Sequence, residues 1–278
     1  MIYHYTSIAT LALILESGKV RFNRLDRVDD VRESQAVAGI QFGKYFFVSC
    51  WTKSAKEHIP LWNMYTPGMK GVRIALPDMP FRMAPLNPPP AWKVEQEGEI
   101  LSPLSFEQMF SSTYCVLPVF LTPNMFAGPV AYVSNIENSY RRNVDLIVGS
   151  DNHANLTIRN MPALPRTKDD HWAFQDEYRF VLLIVPSIPV PPDGIGNLDF
   201  NEQFPSHILS SFLGGVDPGI EYYDLDLSDE ALNSIEVTLG PLSDRSDRLV
   251  VEALLDKFTR SRKVVDSALA GTIRSPKR

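Results

Sequence analysis

Cysteine is almost missing from this chain of 278 residues: Cys50 and Cys115 are the only two, and they stand far apart. So sparse a pair excludes a disulfide scaffold and offers no closely spaced thiols for zinc. An excess of positive charge is lacking too. With 27 Lys and Arg against 33 Asp and Glu, the formal net charge is -6, which argues against a constitutive, tight nucleic-acid binder and leaves only transient contact with a nucleic-acid substrate open. No apolar run approaches the roughly 20 residues that span a membrane. The opening Met1, Ile2, Tyr3, His4, Tyr5 has no basic region ahead of an apolar stretch, so an untargeted, cytoplasmic protein without membrane contact is expected. No internal repeat is visible.

What is present is an ordinary core-forming composition, 44% hydrophobic and 22% charged, sufficient for one large core or two modest ones. A single domain over residues 1–278 is expected. Residues 2–5 read as a strand, with Thr6 or Ser7 capping a helix whose stripe is Ile8, Leu11, Ala12, Ile14 and Leu15, stopped by Gly18. Residues 19–23 alternate as a second strand. Residues 45–51 form an aromatic third strand, and residues 55–65 a helix carrying Trp62 and Tyr65. Residues 71–76 return as a strand. The proline-rich stretch of residues 77–125, with Pro85, Pro88, Pro89 and Pro90, is expected to be an irregular insertion holding at most one hairpin.

Residues 130–133, 222–227, 235–239 and 263–267 read as further strands. Residues 136–147 read as a helix, residues 152–166 as irregular, and residues 168–171 as the start of a brief helix. A last helix covers residues 244–259, capped by Asp244 or Ser243. Elements of both kinds without strict alternation predict an α+β fold with a largely antiparallel or split sheet.

The most informative stretch is residues 172–185. Its second half, from Phe180, is apolar on both faces, as a central strand is; its first half carries Gln175, Asp176, Glu177 and Arg179. Strand periodicity from Gln175 places Gln175, Glu177 and Arg179 on one face. Glu177 then stands at the rim of a core, either as an ion-pair partner of Arg179 or as a functional carboxylate. His4 and Thr6, at a strand end leading into helix amides, could hold a ribose or phosphate oxygen. Ser49 and Trp51, with Trp62 and Tyr65 on the next helix, could wall a slot for a planar ring, although aromatics of this kind also simply fill cores.

In this order the motifs resemble the bacterial domain-of-unknown-function family 2971. Its members open with a Tyr-His-Tyr-Thr strand and a Gly-stopped helix. An Arg-Phe segment follows that ends in Asp and Glu, here Arg21 to Glu33 with Asp30 and Glu33 in place. Next come Ser-x-Trp at Ser49 and Trp51, Leu-Trp-x-x-Tyr at Leu61 to Tyr65 with Gly71, and a Trp-led Glu-x-Glu-Tyr-Arg strand at Trp172 to Arg179. The order His, then Ser or Tyr, then a late Glu is also similar to the ADP-ribosyltransferase fold, including DNA-modifying toxins.

That resemblance implies a single, compact, split and mostly antiparallel β-core flanked by helices and gripping NAD as substrate. His4 would hold the adenosine-side ribose, Ser49 or Tyr65 would line the nicotinamide pocket, and Glu177 would be catalytic. Thr6, Trp51 and Trp62 complete the set of expected cofactor-binding residues. Gln175 stands where the family has its first Glu and would address the acceptor, which counts against arginine in that role. The acceptor would be a macromolecule, nucleic acid or protein, and the setting a toxin or phage-defence effector, with a partner protein conceivable.

The chemistry fits these residues because cleavage of the nicotinamide–ribose bond passes through an oxocarbenium-like state that a fixed carboxylate stabilises. Glu177→Gln is then expected to spare fold and NAD binding and to collapse turnover. Two alternatives stay open. One is a nucleotide-binding sensor or interaction module without chemistry. The other is a metal-dependent nuclease with Asp29, Asp30, Glu33, Asp176 and Glu177 as Mg²⁺ ligands. The basic segment of residues 257–278, with Lys257, Arg260, Arg262, Lys263, Arg274, Lys277 and Arg278, reads as a solvated face or docking tail.

Overall fold

Two strands that part from a third govern the architecture. A computed structural model describes residues 1–87, 98–148, 154–188 and 198–274. The chain opens with β1 (Ile2–Thr6), α1 (Ile8–Ser17), β2 (Lys19–Arg24), β3 (Phe46–Thr52), α2 (Ile59–Tyr65) and β4 (Val72–Leu76). Its middle supplies β5 (Ala84–Pro85), β6 (Leu101–Ser102), β7 (Tyr114–Leu117), α3 (Pro123–Phe126), β8 (Ala127–Pro129), β9 (Ala131–Val133) and α4 (Ile136–Asn143). A ribbon of β10 (Val144–Val148) and β11 (Ala154–Ile158) follows, then β12 (Thr167–Asp169), a 3-10 turn over Asp170–Gln175, and β13 (Glu177–Pro186). The chain continues with α5 (Leu198–Gly214), β14 (Tyr222–Asp226), α6 (Asp229–Ser234), β15 (Glu236–Leu239), α7 (Arg245–Phe258) and β16 (Lys263–Val265).

The large sheet runs β14-β2-β3-β1-β4-β15-β16, with β13 lying on β3 and both β7 and β8 lying on β13. Every pairing in it is antiparallel except the parallel contact of β15 with β16. The fold is therefore α+β with a mostly antiparallel sheet. β13 pairs with β3 from Glu177 opposite Thr52 to Leu183 opposite Phe46, occupying one edge of β3 throughout. The other edge is shared. β2 takes it at Val48 and Phe47, β1 takes it only at Thr52, and Ser49, Cys50 and Trp51 are left without a strand partner between them. A sheet opened this way exposes backbone to whatever fills the gap.

One apolar core, with Leu11, Phe22, Phe47, Phe180 and Leu255, lies on one face of the sheet; a second, with Tyr45, Val48, Val181, Leu183 and Phe212, lies on the other. β13 feeds both, since Phe180 to Val185 are all buried, as expected for a strand covered on both sides. Local signals explain the element ends. Ser7 caps α1 by accepting from the Thr10 amide, and Gly18 closes it in the left-handed conformation at φ 65°. Asp244 and Asp247 form a reciprocal capping box on α7.

Several expectations need correcting. The helix placed over residues 55–65 begins only at Ile59, with Pro60 in its first turn, where a missing N–H costs nothing. The helix expected over residues 136–147 stops at Asn143 and turns into β10, whose partner β11 lies in a stretch expected to be irregular. Apart from Asp145, Val144 to Val148 is aliphatic and mostly β-branched, and hairpin pairing wins there over the 3.6-residue pattern. Residues 77–125 are not merely a surface insertion: β7 pairs with β13, and Phe106, Met109 and Phe120 are buried. Lys168 lies in β12 rather than at a helix start, and α5 and α6 were not anticipated. The expectations for Pro88, Pro89, Pro90, Asn152, Pro189, Pro191, Pro192, Lys277 and Arg278 lie outside the described residues.

Candidate functional site

The gap between β1 and β2 is the mouth of a cleft of about 360 Å³, lined among others by His4, Ser49, Cys50, Trp51, Tyr65, Lys168, Gln175, Glu177 and Arg179. Residues predicted from three separate stretches thus meet around one hollow. They do so in a way that alternation alone would forbid. Thr52 stands opposite both Tyr3 and Glu177, which puts Glu177 on the face of Tyr3 and opposite to that of His4. Because β1 leaves β3 directly after Tyr3, the opening passes through the sheet, and both faces reach it.

The His4 side is uncharged. Its Nδ1 donates to the Cys50 carbonyl at 2.9 Å, which fills the unpaired edge of β3 and fixes the tautomer, leaving Nε2 an acceptor. The ring lies 5.1 Å from that of Trp51, whose Nε1 in turn donates to Ser49 at 3.0 Å. Burial pushes the His4 pKa down, and the bond to Cys50 offsets this only partly, so the imidazole is neutral near pH 7. Burial also lifts the Cys50 thiol, with the Glu177 charge adding to the effect; it is a poor nucleophile.

The Glu177 side is a knot of charge. Arg179 donates from Nε to Glu177 Oε1 at 2.7 Å and from Nη2 to Oε2 at 3.1 Å, and Lys168 Nζ reaches Oε2 at 3.3 Å. Glu33 joins from the segment after β2: its Oε2 accepts from Arg179 Nη1, and its Oε1 lies 3.1 Å from Lys168. All four side chains are buried, Arg179 completely. Two carboxylates against two cations leave the knot neutral, which is the condition for placing ions in a core. Burial alone would raise the Glu177 pKa, but the charges of Arg179 and Lys168, with hydrogen bonds from Arg179 and the Cys50 thiol, hold it down to about 2. With four donors on its two oxygens, Glu177 has no lone pair to spare.

Between the two sides runs a relay. The Tyr65 hydroxyl donates to Asp29 at 2.8 Å and accepts from Gln175 Nε2 at 2.6 Å. That fixes the amide of Gln175 and leaves its buried Oε1 without a partner. Gln175 lies in the turn before β13 rather than on the strand, because Asp176 adopts a left-handed conformation at φ 44° and breaks the period.

Two predicted residues stand elsewhere. Thr6 pairs with Val72 inside the sheet and does not line the cleft. Trp62 is fully buried against Tyr5 at 4.8 Å between ring centroids, with its Nε1 on Glu57 at 2.9 Å; it is a core residue. The proposed magnesium ligands do not form one site, and the two that meet, Glu33 and Glu177, share Lys168 and Arg179. Asp29 is bonded to Tyr65, Asp30 caps the turn of Glu33 by accepting from the Arg32 amide, and Glu33 and Glu177 face cations. Among the described residues, the group of potential ligands that does converge is Asp169, Asp170 and His171. In the basic segment, Arg262 pairs with Asp256 and Lys257 lies over the Phe258 ring, as a solvated face would.

Sequence reasoning missed Lys168 and the full role of Glu33. Glu33 stands out in the Arg21 to Glu33 motif and among the proposed magnesium ligands, but nothing in either pairs it with Arg179. No protein-family model matches this chain, and no curated protein and no solved structure does either.

Proposed function

We propose that the cleft opening between β1 and β2 binds NAD and that the chain is an ADP-ribosyltransferase-like enzyme acting on a macromolecule. The observation that carries this is the opening of the sheet at Ser49, Cys50 and Trp51, which brings His4, Tyr65 and Glu177 around one hollow despite their different faces. In this reading the neutral His4 and the Trp51 ring receive one end of the dinucleotide, with Nε2 accepting from a ribose hydroxyl. The relay from Asp29 through Tyr65 to Gln175 presents the Gln175 carbonyl to a donor on the ligand or acceptor.

The reaction breaks the bond from ribose C1′ to the nicotinamide nitrogen, and the electron pair leaves with nicotinamide. A nucleophile on the acceptor then closes onto C1′ and gives its proton to water. Glu177, ionised and held on a strand, would oppose the positive charge that grows on the ribose. A second reading, NAD binding without chemistry, is favoured by the saturation of Glu177 by Arg179, Lys168 and Cys50. Incubation with NAD labelled in the adenylate half separates the two. Label transferred to lysate protein, DNA or RNA, with nicotinamide released, supports transfer; saturable binding without release supports the sensor; no binding overturns both.

A further inference from the structure

The three cationic contacts on Glu177 are not equally short, and the longest has somewhere else to go. Lys168 Nζ sits 3.3 Å from Glu177 Oε2, longer than either Arg179 contact, and 3.1 Å from Glu33 Oε1. That Glu33 oxygen is buried and accepts no hydrogen bond, because the ammonium is near it but not aligned with it. A buried carboxylate oxygen with unused acceptor capacity is costly. The ammonium thus lies between one carboxylate that holds it and another that lacks a bond, and it lines the cleft beside Glu177. Moving it fully onto Glu33 breaks one long bond, makes one that is missing, and keeps the knot neutral.

We propose that Lys168 is a removable plug: a ligand hydroxyl entering the cleft takes its place on Glu177 Oε2 while the ammonium closes onto Glu33 Oε1. This rests on the nucleotide reading of the cleft and explains how a saturated carboxylate becomes free to act. Lys168 is then a positioning residue that works through Glu177, and Glu33 is its receiving site. The Trp172 ring, 4.8 Å from the ammonium, covers it on its outer side.

The test is a calorimetric titration with NAD of the wild type, Glu33→Gln, and the double variant Glu33→Gln with Lys168→Met. The double variant keeps the buried charges balanced, one Glu177 against one Arg179, so it is the form expected to fold. It should bind NAD about tenfold more tightly than wild type, since no ammonium has to be displaced. Glu33→Gln alone should bind about tenfold more weakly, because the plug has lost its receiving site. Opposite shifts from these two are not what a merely structural ion pair would give. A folded double variant that binds no more tightly than wild type overturns the plug. If no form binds NAD, the nucleotide reading fails, and the plug is decided on the free protein by the ¹⁵N signal of the Lys168 ammonium. A signal that moves in both Glu33→Gln and Glu177→Gln supports sharing between the two acids. One that moves in a single variant overturns it.

Discussion

The two sides of the cleft solve the same problem, polar groups inside a core, by different means. On the β1 side, His4 has given up its charge and satisfies one backbone carbonyl at the open edge of β3. On the β13 side, Glu33, Lys168, Glu177 and Arg179 keep their charges and balance one another. A neutral group with one bond can be replaced cheaply, whereas an ion in a balanced set cannot be removed without stranding its partners. The contrast predicts that stability resides on the charged side and that the uncharged side is there for recognition.

The largest effect should come from Arg179→Met. It leaves two buried carboxylates against Lys168 alone and should cost about 3–5 kcal/mol in urea unfolding. A loss below about 1 kcal/mol would mean that the knot opens to water and that the two sides do not differ as described.

Glu177→Gln comes next. If Glu177 acts on the ribose, nicotinamide release should fall roughly a hundred- to a thousandfold, about 2.7–4 kcal/mol. Unchanged release removes that assignment. The structure also alters the expectation that this variant keeps its stability: a neutral amide in place of the acid faces two cations balanced only by Glu33, so the unfolding midpoint should drop as well. A Glu177→Gln protein as stable as wild type would point to a partner charge that rearranges within the knot.

Acid should reveal the same side without mutation. The Glu177 pKa is lowered from 4.5 to about 2, so between those values the unfolded chain takes up the proton first. Its contribution, on the order of 3 kcal/mol, is present above about pH 4.5 and lost as the pH falls toward 2. Measured by urea titration across that range, the pH dependence should flatten in Glu177→Gln. An equally steep dependence in that variant would assign the acid sensitivity to other carboxylates.

The sequence made the charged strand visible and hid its company. Phe180 to Val185 announces a central strand by composition, and the acids and Arg179 ahead of it announce a site. That Arg179 needs a second acid is a matter of burial, and Glu33 lies 146 positions earlier in the chain, beyond the reach of any local period. The phase of Gln175 was misread because a left-handed Asp176 looks like any other Asp in sequence. The order of elements pointed to a largely antiparallel or split sheet, but nothing in the alternation of β1 or β3 states that they pair at one position and then part. Trp62 shows the converse error, since spacing on a helix says which residues share a face but not that the face turns inward.

The smallest effect on stability belongs to the neutral side and is the sharpest test of what that side is for. His4→Phe keeps a ring against Trp51 and removes the bond to the Cys50 carbonyl, so unfolding should shift by only about 0.5–1.5 kcal/mol. The loss should be smaller still toward acid. A histidine whose folded pKa is lowered draws stability away as the pH falls through its unfolded value, and the Phe variant has no such penalty. NAD affinity should nevertheless fall about tenfold, because Nε2 is the acceptor that the fixed tautomer offers to a hydroxyl. A variant that is nearly as stable as wild type and binds NAD equally well would make His4 a plug for the open edge of β3 and nothing more, and recognition would then have to reside with Tyr65 and Gln175.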